Sequence, residues 1–157
     1  IVVKPLFGSQ GNGVTKVECE AHIPSSAAVG NVYYSQRYLR APNDTRFVDW
    51  RVFVTRGRML AAMARVGASW ITNIHQGASA TAAPDDEDMA MLALAATEAI
   101  SADYAGVDLI RNEAGDLQVL EINSNPAWKG LQSVTDINIA WTLAQDFLAA
   151  VAEAAKA

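Results

Sequence analysis

The chain has 157 residues, 51% of them hydrophobic and 18% charged, the balance of a globular protein that buries a core, with length for one domain or a domain plus a smaller lobe. A net charge of −5 excludes phosphate-driven affinity for nucleic acid, which needs a basic surface. The single cysteine, Cys19, excludes an internal disulfide and a thiolate metal cluster; it reads as a small buried hydrophobe in a reducing, cytoplasmic setting.

Residues 1–4 read as a strand, residues 7–13 as a glycine-rich loop and residues 14–20 as strand again. The chain opens inside that first strand, on Ile1-Val2-Val3-Lys4 without a methionine, as a piece of a longer protein would. Gly8, Gly11 and Gly13 let backbone N–H groups turn toward one point and approach an anion closely, and Lys4 adds a point charge there. The same loop also reads as a plain flexible hairpin tip. It is no Walker A loop, lacking Gly-Lys-Ser/Thr, and no dinucleotide fingerprint, because a strand follows it where a helix should.

Residues 21–30 form a weak connector containing Pro24. Residues 31–40 are an apolar and aromatic strand, with Tyr33 and Tyr34 in the core, running into a turn at Ala41-Pro42-Asn43-Asp44. Residues 47–55 and 58–66 alternate around Arg56-Gly57 as a hairpin. A three-residue loop there, with Gly57 left-handed, would project Asp49, Arg51 and Arg65 to one side. Residues 68–83 are a Gly/Ser/Thr/Ala-rich loop. Pro84-Asp85-Asp86-Glu87 starts a helix that runs to about residue 102 on Met89, Leu92, Ala96 and Ile100. A final helix from about Asp136 carries Ile139, Leu143, Phe147, Leu148 and Val151. The most apolar stretches are Ala-rich and interrupted by Glu, Asp or Gln, so neither a signal peptide nor a membrane span is expected. The expected class is α+β.

Between the two helices lie two apolar runs, residues 106–110 and 117–122, separated by the turn-forming Asn112-Glu113-Ala114-Gly115-Asp116. Folded about the Ala114–Gly115 bond, Val107 falls opposite Ile122 and Leu109 opposite Leu120. Asp108 then faces Glu121, with Asn123 two residues on along the same face. Carboxylates directly across a ladder repel unless a cation sits between them. Oxygen donors of this kind suit Mg²⁺ or Mn²⁺ and not zinc, and Mg²⁺ so held keeps positions open for phosphate oxygens. Taken singly, an Asp and a Glu on a hairpin are more often a solvated edge; the facing register and the adjacent Asn123 favour the metal. His75 reads equally as solvated or as a substrate contact, Trp128 as a packing anchor, and Lys129 as a surface lysine or a contact for an anionic substrate.

The order of these pieces resembles the ATP-grasp superfamily, in its branch of glutamate ligases that includes the ribosomal protein S6 modification enzyme. It runs Val3-Lys4-Pro5, the glycine loop, Gln36-Arg37-Tyr38-Leu39, Asp49-Trp50-Arg51, Arg65, Asn73-Ile74-His75-Gln76-Gly77, Gly106-Val107-Asp108 and Glu121-Ile122-Asn123-Ser124-Asn125-Pro126. The resemblance implies two α+β lobes that clamp ATP. Residues 1–40 would be part of the small lobe, with flap and hinge, and residues 41–157 the large lobe with the metal site. Lys4 and the flap glycines would meet the phosphates, and Gln36, Arg37, Tyr38 and Leu39 the adenine. Asp49 would face the ribose, with Ile71, Thr72 and Asn73 closing on the nucleotide. Asp108 and Glu121 would share one Mg²⁺, and Glu121 and Asn123 a second. Arg65 and Arg51 would hold the transferred phosphate or acyl-phosphate.

The implied activity is ATP-dependent joining of a carboxylate to an amine, with glutamate as the amine. The segment Pro126-Ala127-Trp128-Lys129-Gly130-Leu131-Gln132 resembles ligases acting on pterin-type cofactors more than those acting on a protein tail. A non-catalytic nucleotide-binding module is the alternative. Substrates would be small molecules, with no nucleic acid or membrane partner; a homo-oligomer is compatible with this reading. The chain departs from the family at Arg37, where the hinge often carries Glu, and in lacking an upstream domain and a second lysine for ATP.

Overall fold

Two antiparallel sheets organise the chain in the computed structural model, which describes residues 1–8, 10–40 and 46–156. The smaller has the order β2-β1-β3, from β1 (Val2–Lys4), β2 (Thr15–Lys16) and β3 (Tyr34–Gln36). The larger has the order β6-β5-β4-β7-β8. Its strands are β4 (Phe47–Thr55), β5 (Arg58–Gly67), β6 (Ser79–Ala82), β7 (Tyr104–Arg111) and β8 (Leu117–Asn123). The helices are α1 (Glu87–Ala99), the short α2 (Lys129–Gln132) and α3 (Ile139–Ala154). Among the described residues no helix is long and apolar enough to cross a membrane.

The β4–β5 hairpin reaches the expected side-chain arrangement by a different backbone. Arg56 and Gly57 have φ of 45° and 68°, the paired left-handed residues of a two-residue turn, and Thr55 faces Arg58. That turn alone would place Asp49 opposite Ala64. A bulge supplies the missing residue: Val54 faces Met59 and Phe53 faces Ala61, leaving Leu60 as the extra residue, so that Asp49 faces Arg65. A one-residue slip turns a strand's side chains to the other face; the bulge reverses that slip.

The same device recurs between β7 and β8. Asp108 faces Glu121 and Val107 faces Ile122, as expected, but Leu109 faces Val119, not Leu120. Leu120 is the bulged residue. The turn is tied by Asn112, whose Oδ1 accepts from the Ala114 and Asp116 N–H groups at 2.9 Å each.

Alternation along these strands separates two cores. Val52, Val54, Val107 and Leu109 point to one face and meet Met89 and Ala93 of α1, four residues apart and so on one helix stripe. Asp86, whose side chain accepts from the Met89 N–H at 3.1 Å, caps that helix. Phe53, Ala61 and Met63 point to the other face and pack against Leu131 of α2 and Ile139 of α3. The remainder of this second face carries the charged residues described below.

Several local expectations change. The strand expected over residues 31–40 is limited to Tyr34–Gln36, and Tyr33 and Tyr34 are each 46% exposed, too open for core. Cys19 is exposed because it lies in a loop ahead of a short helical turn, Glu20–His22, where strand had been expected. The 68–83 loop contains a short helical turn, Ile74–Gln76, and the edge strand β6. α3 starts at Ile139, with Asn138 accepting from the Trp141 N–H at 3.0 Å. Phe147, Leu148 and Val151 are exposed; towards its C-terminal end this helix is tied to the β4–β5 turn by the Arg56–Glu153 and Arg58–Asp146 ion pairs, at 2.7 and 2.9 Å. The turn expected at Ala41-Pro42-Asn43-Asp44 lies outside the described residues.

Candidate active site

One face of the large sheet gathers Asp49, Arg51, Arg65, Asp108, Glu121 and Asn123. The pairing alone places them there: Asp49 beside Arg65, Arg51 beside Asp108, and Asp108 beside Glu121, since residues directly opposite in a ladder share a face. Arg51 donates to Asp108 with both prongs, Nε to Oδ1 at 2.7 Å and Nη2 to Oδ2 at 2.8 Å. Arg65 donates to Asp49 at 2.7 and 2.5 Å and adds a bond from Nη2 to Asp108 Oδ2 at 2.9 Å. Asp49, Arg65 and Asp108 are buried, with 4%, 4% and 6% of their surface exposed. Two guanidinium groups and two carboxylates out of water stay ionised only as a mutually satisfied set. No buried side-chain polar atom among the described residues lacks a partner.

Burial pushes the Asp49 carboxyl above its ordinary range, and the bond and charge of Arg65 oppose that rise without cancelling it. Burial acts to lower the Arg65 pKa, but the charge of Asp108 and the bonds to both carboxylates outweigh it, so the guanidinium is held above its ordinary value. Arg65 is thus a permanent positive charge at the centre of the face.

Glu121 is exposed and accepts from Asn123 Nδ2 at 3.3 Å, which leaves the Asn123 carbonyl oxygen available. No group of three or more His, Cys, Asp or Glu side chains among the described residues is gathered for a metal. The candidate donors are therefore two carboxylates and one amide, all oxygen. Of the four or so lone pairs on a carboxylate, Asp108 has three engaged by arginine N–H groups. One remains, on Oδ1.

The loop after β8 is seated on the same face. A Cβ added to Gly106 would lie 2.6 Å from Pro126 Cβ and 3.3 Å from Cγ, so glycine is what admits the Pro126 ring. The Arg51 Nη1 donates to the Ala127 carbonyl at 3.4 Å. Gly106→Ala should therefore lift the 124–127 loop and lower stability by about 1–3 kcal/mol through overpacking. An unchanged urea midpoint for that variant would show that the loop yields freely.

The other expected site residues lie on the small sheet and in the segments around it. Lys4 is half-buried, and its side chain makes no hydrogen bond or ion pair with the described residues. A Cβ added at Gly8 or Gly13 would crowd the Pro5 ring, at 3.0 and 3.2 Å from its Cγ. Gly11, at φ 75°, lies against the 71–76 segment: a Cβ there would fall 2.6 Å from Asn73 Oδ1, 2.8 Å from Gln76 Nε2 and 2.9 Å from Ile71 Cγ2. Gln76 Nε2 donates to the Gln10 carbonyl at 2.9 Å. Gln36 Nε2 donates to the Leu120 carbonyl at 3.2 Å, using the backbone group at the β8 bulge. Tyr38 packs edge-on to Trp70, centroids 6.0 Å apart, and Lys16 sits over its ring. Leu39 is half-buried and Arg37 exposed. Beside Arg40 a small cavity is bordered by Asp49, Trp70, Thr72, Ile110 and Leu120.

Gln76 and Leu120 did not emerge from sequence patterning. Gln76 falls inside the Asn-x-His-x-Gly piece, whose spacing marked the segment but not the partner. The Leu120 role depends on a bulge with no sequence mark of its own. His75 is exposed. Trp128 packs edge-on against Phe53 at 6.0 Å, the expected anchor.

Comparison with known proteins shows the family and the fold. The sequence matches the family model of the RimK-like ATP-grasp domain over residues 1–147. It is 34% identical over 154 residues to a tetrahydromethanopterin:alpha-L-glutamate ligase of Methanococcus maripaludis, covering 94% of this chain and 52% of that protein. The protein of the same name from Methanocaldococcus jannaschii is 38% identical over 147 residues, covering 88% and 50%. The chain thus spans about half the length of the curated relatives it matches. Among solved structures, the ATP-grasp ligase PsnB complexed with a minimal precursor superposes with a TM-score of 0.69 at 18% identity, covering 94% of this chain and 46% of that one. The same ligase with precursor, Mg and ADP gives 0.66. At that identity the likeness establishes the fold, and the expected α+β ATP-grasp architecture is present.

Proposed function

Because this chain belongs to the RimK-like ATP-grasp domain family, we propose that it forms the nucleotide- and metal-binding part of an ATP-dependent carboxylate–amine ligase. One observation supports this most: Asp108 and Glu121 face each other on one sheet face beside two fixed guanidinium groups.

In this reading Lys4, Gly8, Gly11 and Gly13 hold the ATP phosphates. Gln36, Arg37, Tyr38 and Leu39 line the adenine side, with the backbone reading the base where Arg37 replaces the usual Glu. Ile71, Thr72 and Asn73 close on the nucleotide. Asp49 acts through Arg65, since both its oxygens are engaged there. The oxygen donor set of Asp108 Oδ1, Glu121 and Asn123 fits Mg²⁺ or Mn²⁺. An ion bound there would neutralise charge on the phosphate oxygens. Two ions are proposed, with Glu121 common to both.

The reaction follows in two steps. A substrate carboxylate attacks the γ-phosphorus and displaces ADP, giving an acyl-phosphate. The amine then attacks the acyl carbon, phosphate leaves, and the amine proton passes to solvent or phosphate. Arg51 and Arg65 present positive charge where the transferred phosphoryl group develops negative charge. The names of the relatives support glutamate as the amine and a pterin-type acceptor; the proposed setting is the cytoplasm, on composition alone.

The test is ADP release by the full-length protein with ATP, Mg²⁺, a pterin acceptor and glutamate, beside calorimetry with ATP. Glutamate-dependent ADP release is expected. ATP binding without it would point to a non-catalytic nucleotide-binding module. Within the same assay, Gln76→Ala should free the glycine loop and raise the KM for ATP by about 3–10-fold, the worth of one neutral hydrogen bond, with stability unchanged. An unaltered KM would mean that the Gln76–Gln10 contact does not hold the loop.

A further inference from the structure

An open cleft lies between the 125–129 segment and the end of α2, with a volume of ≈ 740 Å³, inside the roughly 300–1,000 Å³ range of small-molecule sites. Its position ties it to the charged face. Its wall includes Ala127, whose carbonyl accepts from Arg51, the residue that grips Asp108.

The polar groups on its wall are unequal. The Gln132 amide is engaged at the start of α3, donating to the Ile137 carbonyl at 2.8 Å and accepting from the Ile139 N–H at 3.0 Å. The Ser133 hydroxyl donates to the Gly130 carbonyl at 2.7 Å. Lys129 and Asn125 have no hydrogen bond or ion pair with the described residues. Trp128 and the Pro126–Ala127 backbone make the remaining wall mostly apolar. The cleft thus offers an ammonium and an amide donor beside an apolar surface and, among the described residues that line it, no carboxylate. That suits a small molecule with a short aliphatic body and an anionic end.

We propose that this cleft binds the acidic amine substrate of the ligation, and that Lys129 holds its side-chain carboxylate. This rests on the ligase reading. In that reaction the amine must reach the acyl-phosphate beside Arg51 and Arg65. The α-carboxylate, attached to the amine-bearing carbon, stays near that centre. Only the side-chain carboxylate extends outward along the apolar wall toward Lys129. A charged partner there would separate glutamate from glutamine, which differ at that group alone.

The test uses full-length protein with glutamate and with glutamine as amines, comparing wild type with Lys129→Met. Losing one charge-assisted bond should raise the KM for glutamate about tenfold or more. The KM for glutamine should stay within about twofold, and those for ATP and acceptor should not change. If the two amines shift together, if neither shifts, or if the acceptor KM shifts instead, Lys129 does not hold the side-chain carboxylate. If wild-type protein binds ATP but releases no ADP with either amine, the ligase reading fails, and this proposal with it.

Discussion

Replacing Arg65 with methionine should lower folding stability by about 3–5 kcal/mol near neutral pH, the cost of leaving buried charge without its partner. Arg65 grips both oxygens of Asp49, and it supplies one of the three arginine N–H bonds to Asp108 among the described residues. Methionine fills similar volume, so packing contributes little to the loss. The loss should shrink as pH falls, because a stranded Asp49, already pushed up by burial, takes up a proton and no longer needs the guanidinium. Arg65→Lys should fall between the two proteins, since an ammonium cannot reproduce the forked bonds. Urea unfolding at two pH values measures this. A neutral-pH loss below about 0.5 kcal/mol, the size of an ordinary surface change, would show that the ion pairs are not needed for the fold.

Glu121→Gln separates chemistry from stability. Glu121 is exposed and, among the described residues, its side chain makes one hydrogen bond, accepting at 3.3 Å from Asn123; a glutamine oxygen can also accept it. Folding stability should therefore move by less than about 0.5 kcal/mol. On the proposed metal assignment, ADP release at saturating Mg²⁺ should fall about 10²–10³-fold, as when other electrostatic groups are removed from a phosphoryl or acyl-transfer site. An unaltered rate would refute the role of Glu121, and with it the pairing of Asp108 and Glu121 around an ion. The companion change Asp108→Asn should be costly in both measurements, because it also removes the negative charge and one of the two oxygens that hold Arg51 and Arg65.

Much of this site can be read along the chain because its members lie on strands, where a period of two carries face information. Asp108, Glu121 and Asn123 needed only the turn and the alternation to be placed together. Asp49, Arg51 and Arg65 needed one more decision, the hairpin register. There the expected loop was wrong although the resulting face was right. A two-residue turn and a bulge at Leu60 give the same offset as the three-residue loop, and side-chain patterning responds only to the sum. The Leu109–Leu120 pairing failed for the related reason that a bulge next to Glu121 moves one neighbour and leaves the carboxylate where it was.

Residues outside the strands were less accessible. Tyr33 and Tyr34 have strand propensity and apolar rings, yet they are half exposed, because the small sheet has only three short strands to cover them. Cys19 likewise follows a strand that stops early.

The sequence by itself determined the α+β order of elements, the glycine loop, the helix start over residues 84–87, and the line of oxygen donors on the β7–β8 hairpin. All of these depend on neighbours within a few residues, where spacing and turn chemistry act directly. Tertiary structure decided that Arg65 joins Asp49 to Asp108, that Gln76 meets the glycine loop 66 residues away, and that Pro126 needs Gly106 beneath it. Those contacts join segments whose relative position is set by packing two sheets and by bulges that local patterning does not encode.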